Sequence, residues 1–193
     1  VRLFVAVRPS VEAVNHLGVQ VARLRVAAAT AAGVNVRLAD PADLHLTVAF
    51  LGAVESDRLV EVESALGLAA ERFRDDRGAA PRLSLGGGGR FGGGRTAVLW
   101  VDLRGEIDAL HVLAGLIRSR LSHGRLPCDE KPFRPHLTVA RPGDRMDLAD
   151  VEADRASLDG YEGPSWPASE LLLVRSHLGG GRPRYERIAA WSL

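Results

Sequence analysis

The tetrapeptide His-Leu-Thr-Val occurs twice in this chain, at His45–Val48 and at His136–Val139, separated by nearly half the sequence. Each copy reads as β-strand. Because side chains alternate across a strand, the histidine and threonine of each copy share one face while the leucine and valine share the other. In the first strand, predicted over Leu44–Leu51, the same count puts Phe50 on the apolar side. An identical pattern at two distant places asks for two equivalent positions in the fold. If the two strands lie side by side in pseudo-symmetric lobes, the apolar faces pack inward. The two imidazoles and two hydroxyls of His45, Thr47, His136 and Thr138 then converge on one cleft.

The rest of the chain supplies elements for such lobes. Leu3–Val7 reads as an apolar strand, and Ser10 offers a cap to a helix whose Val14, Leu17, Val21 and Leu24 recur at helical spacing. Ser56 can cap a second helix carrying Leu59, Val62 and Leu66, and Arg82–Leu85 begins an extended segment before a glycine tract. Thr96–Leu103 predicts a strand. Ile107, Leu110, Ala114, Ile117 and Leu121 mark one side of a helix that ends near Gly124, and Pro135–Arg141 is the strand of the second copy. Asp147–Leu158 predicts a short helix, and Glu170–Leu178 and Arg184–Trp191 flank Gly179, Gly180 and Gly181 as a hairpin. Amphipathic strands with helices between strand pairs favour an α+β fold with antiparallel sheets over a doubly wound parallel sheet. No linker long enough to divide the chain is visible, so residues 1–193 read as one two-lobed unit.

Composition narrows the chemistry. The 193 residues are 46% hydrophobic, ample for a core and too apolar for disorder. No run of about 18 apolar residues occurs, and Val1–Ser10 lacks the pattern of a signal peptide, so a cytoplasmic protein without a membrane span is expected. Cys128 is the only cysteine, which excludes an internal disulfide and a thiolate-rich metal site and reads as a packing residue. A formal charge of +1 argues against a protein that coats long nucleic acid, while leaving room for a local basic pocket. Lys131 is the sole lysine. Arginine suits phosphate oxygens, although the abundance of Ala and Gly points to codon bias as the source of the count.

Two imidazoles facing one cleft have a use. Imidazole titrates near pH 6.5, so one ring can serve as base and the other as acid at neutral pH. In a phosphodiester displacement one deprotonates the attacking water and the other protonates the departing ribose oxygen. The threonine hydroxyls hydrogen-bond the non-bridging oxygens, and no metal is required.

The flanking residues carry a resemblance. Arg2-Leu3-Phe4-Val5-Ala6, Leu44-His45-Leu46-Thr47-Val48-Ala49-Phe50-Leu51-Gly52, Lys131-Pro132-Phe133-Arg134-Pro135-His136-Leu137-Thr138-Val139-Ala140-Arg141, the Phe91 to Trp100 region and Leu171-Leu172-Leu173-Val174-Arg175-Ser176-His177-Leu178 run nearly end to end. Together they resemble the two-histidine phosphoesterases, specifically the RNA 2′,3′-cyclic phosphodiesterases also called 2′-5′ RNA ligases. The resemblance implies a bilobal α+β fold, with pseudo-symmetric antiparallel sheets and flanking helices around a central cleft. It also implies hydrolysis of RNA or short-oligonucleotide 2′,3′-cyclic phosphate ends to 2′-phosphates, with His45 as proton donor and His136 as acceptor and without metal or cofactor. The chain is expected to act as a monomer. Arg141 matches a family arginine that could neutralise the phosphate, and reads equally well as a surface charge. Arg134 shares strand parity with His136 and is a second candidate for the substrate, though the family does not fix an arginine there. Ligation through a 2′-5′ linkage, cleavage of other cyclic or 2′-5′ linked nucleotides, and binding of RNA ends without cleavage remain alternatives.

Other signals are weaker. The tract from Gly86 to Arg95 is more glycine-rich than the family pattern and reads as a mobile hairpin connection, with Arg90 and Arg95 either bordering an RNA entrance or simply exposed. Its matches to a dinucleotide fingerprint are automatic in a glycine run. His16, His111, His123 and His177 form no ligand cluster, and His123 suits the end of a helix. Trp100, Trp166 and Trp191 are read mainly as core.

Overall fold

A computed structural model describes residues 1–179 and 183–193. The strands are β1 (Arg2–Val7), β2 (Arg37–Leu38), β3 (Leu46–Ala53), β4 (Arg82–Phe91), β5 (Val98–Gly105), β6 (His136–Arg141), β7 (Trp166–Pro167), β8 (Glu170–His177) and β9 (Arg184–Ser192). They form one curled antiparallel sheet in the order β7-β4-β5-β6-β3-β1-β8-β9, with β2 also paired to β6. The α+β class and antiparallel pairing therefore stand as read from the sequence. The two lobes are the halves β7-β4-β5-β6 and β3-β1-β8-β9. They join through an antiparallel rung, Leu46↔Leu137, the second residues of the two tetrapeptides.

Among the described residues, five helices cover one face: α1 (Val11–Val21), α2 (Arg25–Ala31), α3 (Leu59–Arg77), α4 (Ile107–His123) and α5 (Leu148–Asp159). Ser10 caps α1 by accepting from the backbone N–H of Ala13 at 3.1 Å. Leu17, Leu66, Leu110, Ile117 and Leu158 meet Val5, Val48, Val101 and Val139 of the sheet in one continuous buried cluster. Burial of this apolar surface is the main force joining the lobes. Among the described residues no helix is long and apolar enough to cross a membrane.

Several local expectations are corrected. Helix α1 ends at Val21, so Leu24 reaches the core from the turn that follows. Helix α2 has too uniform an Ala-rich pattern to be read from periodicity, and Leu24 gives its N-terminus no side-chain cap. Asp154 of α5 supplies one from across the structure: its carboxylate, only 2% exposed, accepts from the N–H groups of Arg25 at 2.8 Å and Val26 at 2.9 Å. Strands β2 and β7 are too short to leave a pattern. Of the hairpin turn between β8 and β9, Gly180 and Gly181 lie outside the described residues.

The glycine tract is the largest departure. Residues 86–91 of it are the second half of β4, paired to β5 through Gly88↔Val101 and Gly89↔Trp100, and only residues 92–95 belong to the connection between those two strands. A Cβ on Gly88 would lie 2.1 Å from the carbonyl oxygen of Arg155 in α5, and one on Gly89 would lie 2.0 Å from the ring of Trp100. Glycine is needed here for close approach from both faces of the sheet.

Candidate active site

The rung at Leu46↔Leu137 runs the two tetrapeptides antiparallel, so each histidine lies beside the other copy's threonine. His45, Thr47, His136, Thr138 and Arg141 line one cleft of about 870 Å³ on the face opposite the helices. His136 opens β6, whereas His45 stands one residue before β3, which begins at Leu46. The predicted strand thus starts late. A short turn at Pro41–Asp43, capped by the Asp40 carboxylate on the N–H of Ala42 at 2.9 Å, leads the chain into His45 instead.

The two imidazoles are held alike. His45 donates its Nδ1–H to the carbonyl of Asp43 at 2.6 Å, and His136 donates its Nδ1–H to the carbonyl of Arg134 at 2.7 Å. A carbonyl only accepts, so Nδ1 carries the proton in both rings and Nε2 is left to exchange protons with an occupant of the cleft. Each ring also rests on two aromatics. His45 stacks on Phe4 at 4.8 Å between centroids and meets Tyr185 edge-on at 5.3 Å. His136 meets Phe91 edge-on at 4.8 Å and Trp100 at 5.7 Å.

Burial in this apolar setting pushes both imidazoles below their usual pKa. The carbonyl hydrogen bonds partly oppose it. Arg8 and Arg141 lower His45 further while Asp43 raises it; Arg134 and Arg141 lower His136 while Asp102 raises it. An anion between the rings would push both values upward, since negative charge favours imidazolium.

Strand parity fails at one matching place in each copy. The ladder between β1 and β3 skips Val48, and that between β5 and β6 skips Val139, so the fourth residue of each tetrapeptide is a β-bulge. Past it the facing of side chains inverts. Phe50, expected in the core, is 53% exposed and lines the cleft, and Arg141 reaches the same cleft from β6. Arg134 lies in the segment before β6. Its guanidinium sits over the rings of Phe91 at 5.2 Å and Trp100 at 5.0 Å, beside His136 and outside the lining of the cleft.

Sequence reading missed the aromatic supports. The signal for Phe4 was present, because β1 is apolar at every position after Arg2. Phe4 and Ala6 join Leu172 and Val174 in a second apolar cluster, on the cleft face. Arg90 pairs with Glu152 and Arg95 lies 3.7 Å from Asp144; neither lines the cleft. Cys128 does line it, with its thiol pushed up by burial. His16 meets the Tyr161 hydroxyl at 3.1 Å, His177 meets Glu186 at 2.8 Å, and His111 packs edge-on against Phe133. His123 is the last residue of α4. Trp100 and Trp166 are buried, while Trp191 is half-buried against Gly67. Among the described residues no group of three or more His, Cys, Asp or Glu side chains is placed to hold a metal ion.

Residues 13–180 match the family model of the 2'-5' RNA ligase superfamily. The chain is 31% identical over 151 residues to the RNA 2',3'-cyclic phosphodiesterase of Escherichia coli (strain K12), an alignment covering 78% of this chain and 76% of that protein. It superposes on the crystal structure of TT0787 of Thermus thermophilus with a TM-score of 0.71 at 27% identity, covering 100% of this chain and 98% of the other. The crystal structure of E. coli LigT complexed with 3'-AMP gives a TM-score of 0.67 at 26% identity, covering 100% and 97%. A family match across most of the chain, on a fold that brings both histidine motifs to one cleft, places this protein in the 2'-5' RNA ligase superfamily.

Proposed function

We propose that the chain hydrolyses 2′,3′-cyclic phosphate ends of RNA to 2′-phosphates, as the names of its curated relatives suggest. The observation that carries the reading is the matched pair of imidazoles, each fixed through Nδ1 to the carbonyl two residues earlier and each open to the same cleft at Nε2. Water attacks phosphorus as His136 takes its proton. The bond from phosphorus to the 3′ oxygen breaks, and His45 gives its proton to that oxygen. The products are a 2′-phosphate and a 3′ hydroxyl, and proton exchange with solvent resets both rings. Thr47 and Thr138 hydrogen-bond the non-bridging oxygens, and Arg141 balances their charge.

With both imidazoles depressed below their usual pKa, the free rings are mainly neutral at pH 7, and the negative charge of the bound phosphate favours uptake from solvent of the proton that His45 donates. Phe50, exposed in the cleft, offers a face for the terminal base. Both proton transfers use groups of one chain, so the reading needs no second copy, no metal and no organic cofactor. It treats residues 1–193 as one two-lobed catalytic unit acting in the cytoplasm, where its RNA substrate is met.

The test is turnover of an oligoribonucleotide ending in a 2′,3′-cyclic phosphate in excess EDTA, with the product identified by mass and phosphatase sensitivity. His45→Ala and His136→Ala are each expected to lower kcat by ~10²–10⁴ with the fold intact. Loss of wild-type turnover under chelation, or near-normal rates in either folded variant, would contradict the mechanism.

A further inference from the structure

A second pocket, of about 310 Å³, opens on the same sheet face beyond His45. It shares Phe4, Asp43, His45 and Tyr185 with the main cleft, so the two are continuous around the first imidazole. Its floor is apolar, formed by the paired residues Ala6↔Leu172 and by Val174 of β8. Its polar rim holds Arg8, Arg187, Glu170 and Asp43. Arg187 stands 3.8 Å from Glu170 and is compensated. Arg8, exposed at the end of β1, has no ion pair among the described residues.

We infer that this pocket is a subsite for the phosphodiester on the 5′ side of the terminal nucleotide, with Arg8 as its anion contact, so that the protein prefers oligonucleotides to mononucleotides. The inference rests on the function proposed above. There His45 protonates the departing 3′ oxygen, which puts the terminal ribose on the His45 side of phosphorus. The polynucleotide continues from the 5′ carbon of that ribose, away from the reacting phosphate and across β1 and β8. The pocket lies along that path, and the guanidinium of Arg8, in no ion pair among the described residues although Asp43 shares the rim, matches the single charge of one phosphodiester. A mononucleotide leaves the pocket empty.

The experiment compares kcat/KM for adenosine 2′,3′-cyclic phosphate, for a diadenosine carrying the same cyclic end and one upstream phosphodiester, and for that dinucleotide with an uncharged methylphosphonate in place of the upstream linkage. The readout is the ratio of dinucleotide to mononucleotide, in which any effect of Arg8 on His45 cancels because both substrates use the same imidazole. The wild type is expected to prefer the charged dinucleotide by about tenfold, as for one partly exposed charge-assisted contact. The preference should vanish in Arg8→Ala, survive in part in Arg8→Lys, and be absent for the methylphosphonate in every form. A ratio unchanged in Arg8→Ala, or a wild type that does not distinguish charged from uncharged linkages, overturns the subsite and leaves the reaction standing. Failure of the wild type on all three substrates instead overturns the proposed function.

Discussion

Gly88→Ala is the sharpest test of why β4 is built from glycines. The added methyl would lie 2.1 Å from the Arg155 carbonyl oxygen, 3.0 Å from its carbonyl carbon and 2.8 Å from the Cβ of Leu158. None of these is the flexible end of a side chain, so relief requires α5 to move off the sheet. Overpacking of this kind costs about 1–3 kcal/mol, and a clash against helix backbone belongs at the upper end. In a chain of this size a loss of about 3 kcal/mol corresponds to a fall in Tm of roughly 6–12 °C. Gly18→Ala is the internal control: Gly18 lies inside α1, and a Cβ there would meet nothing within 4 Å, so alanine is expected to stabilise by about 0.5–1 kcal/mol. Thermal melts and urea titrations of both variants decide the matter. A Gly88→Ala protein melting within about 2 °C of wild type would refute the close-approach argument, as would equal loss in the control.

Two other outcomes follow from the structure. Both imidazoles are depressed by burial, so the pH profile of kcat/KM, which reports the free enzyme, should peak below about 6.5. Bound phosphate raises both values, so the kcat profile should peak at higher pH; a kcat optimum at or below that of kcat/KM would count against the paired-imidazole mechanism. Asp154→Ala removes the acceptor of two backbone N–H groups at the start of a seven-residue helix. A loss of about 2–4 kcal/mol is expected, with hydrogen-exchange protection falling first in α2, and unchanged protection there would remove its role as a cap.

The sequence carried what periodicity and repetition can carry. The Val14 and Leu17 spacing, the Leu110 to Leu121 stripe and the alternation around each tetrapeptide gave the helices, the strands and the shared face of His45, Thr47, His136 and Thr138. What stayed hidden depends on partners distant in sequence. Helix α2 is held by a carboxylate more than a hundred residues away. The glycines of β4 are a strand because α5 and Trp100 lie against them, whereas composition alone suggests a loop. Phe50 was misplaced because counting by twos assumes an unbroken ladder, and the bulge at Val48 is set by pairing with β1.

Those two bulges make a duplicated scaffold directional. At corresponding places after each tetrapeptide, one copy delivers the phenyl ring of Phe50 and the other the guanidinium of Arg141 to the cleft. A ring attracts flat apolar groups and a guanidinium attracts oxyanions. On the proposed reading, an asymmetric ester meets a polarised groove and is sorted head from tail, although the backbone beneath it repeats itself.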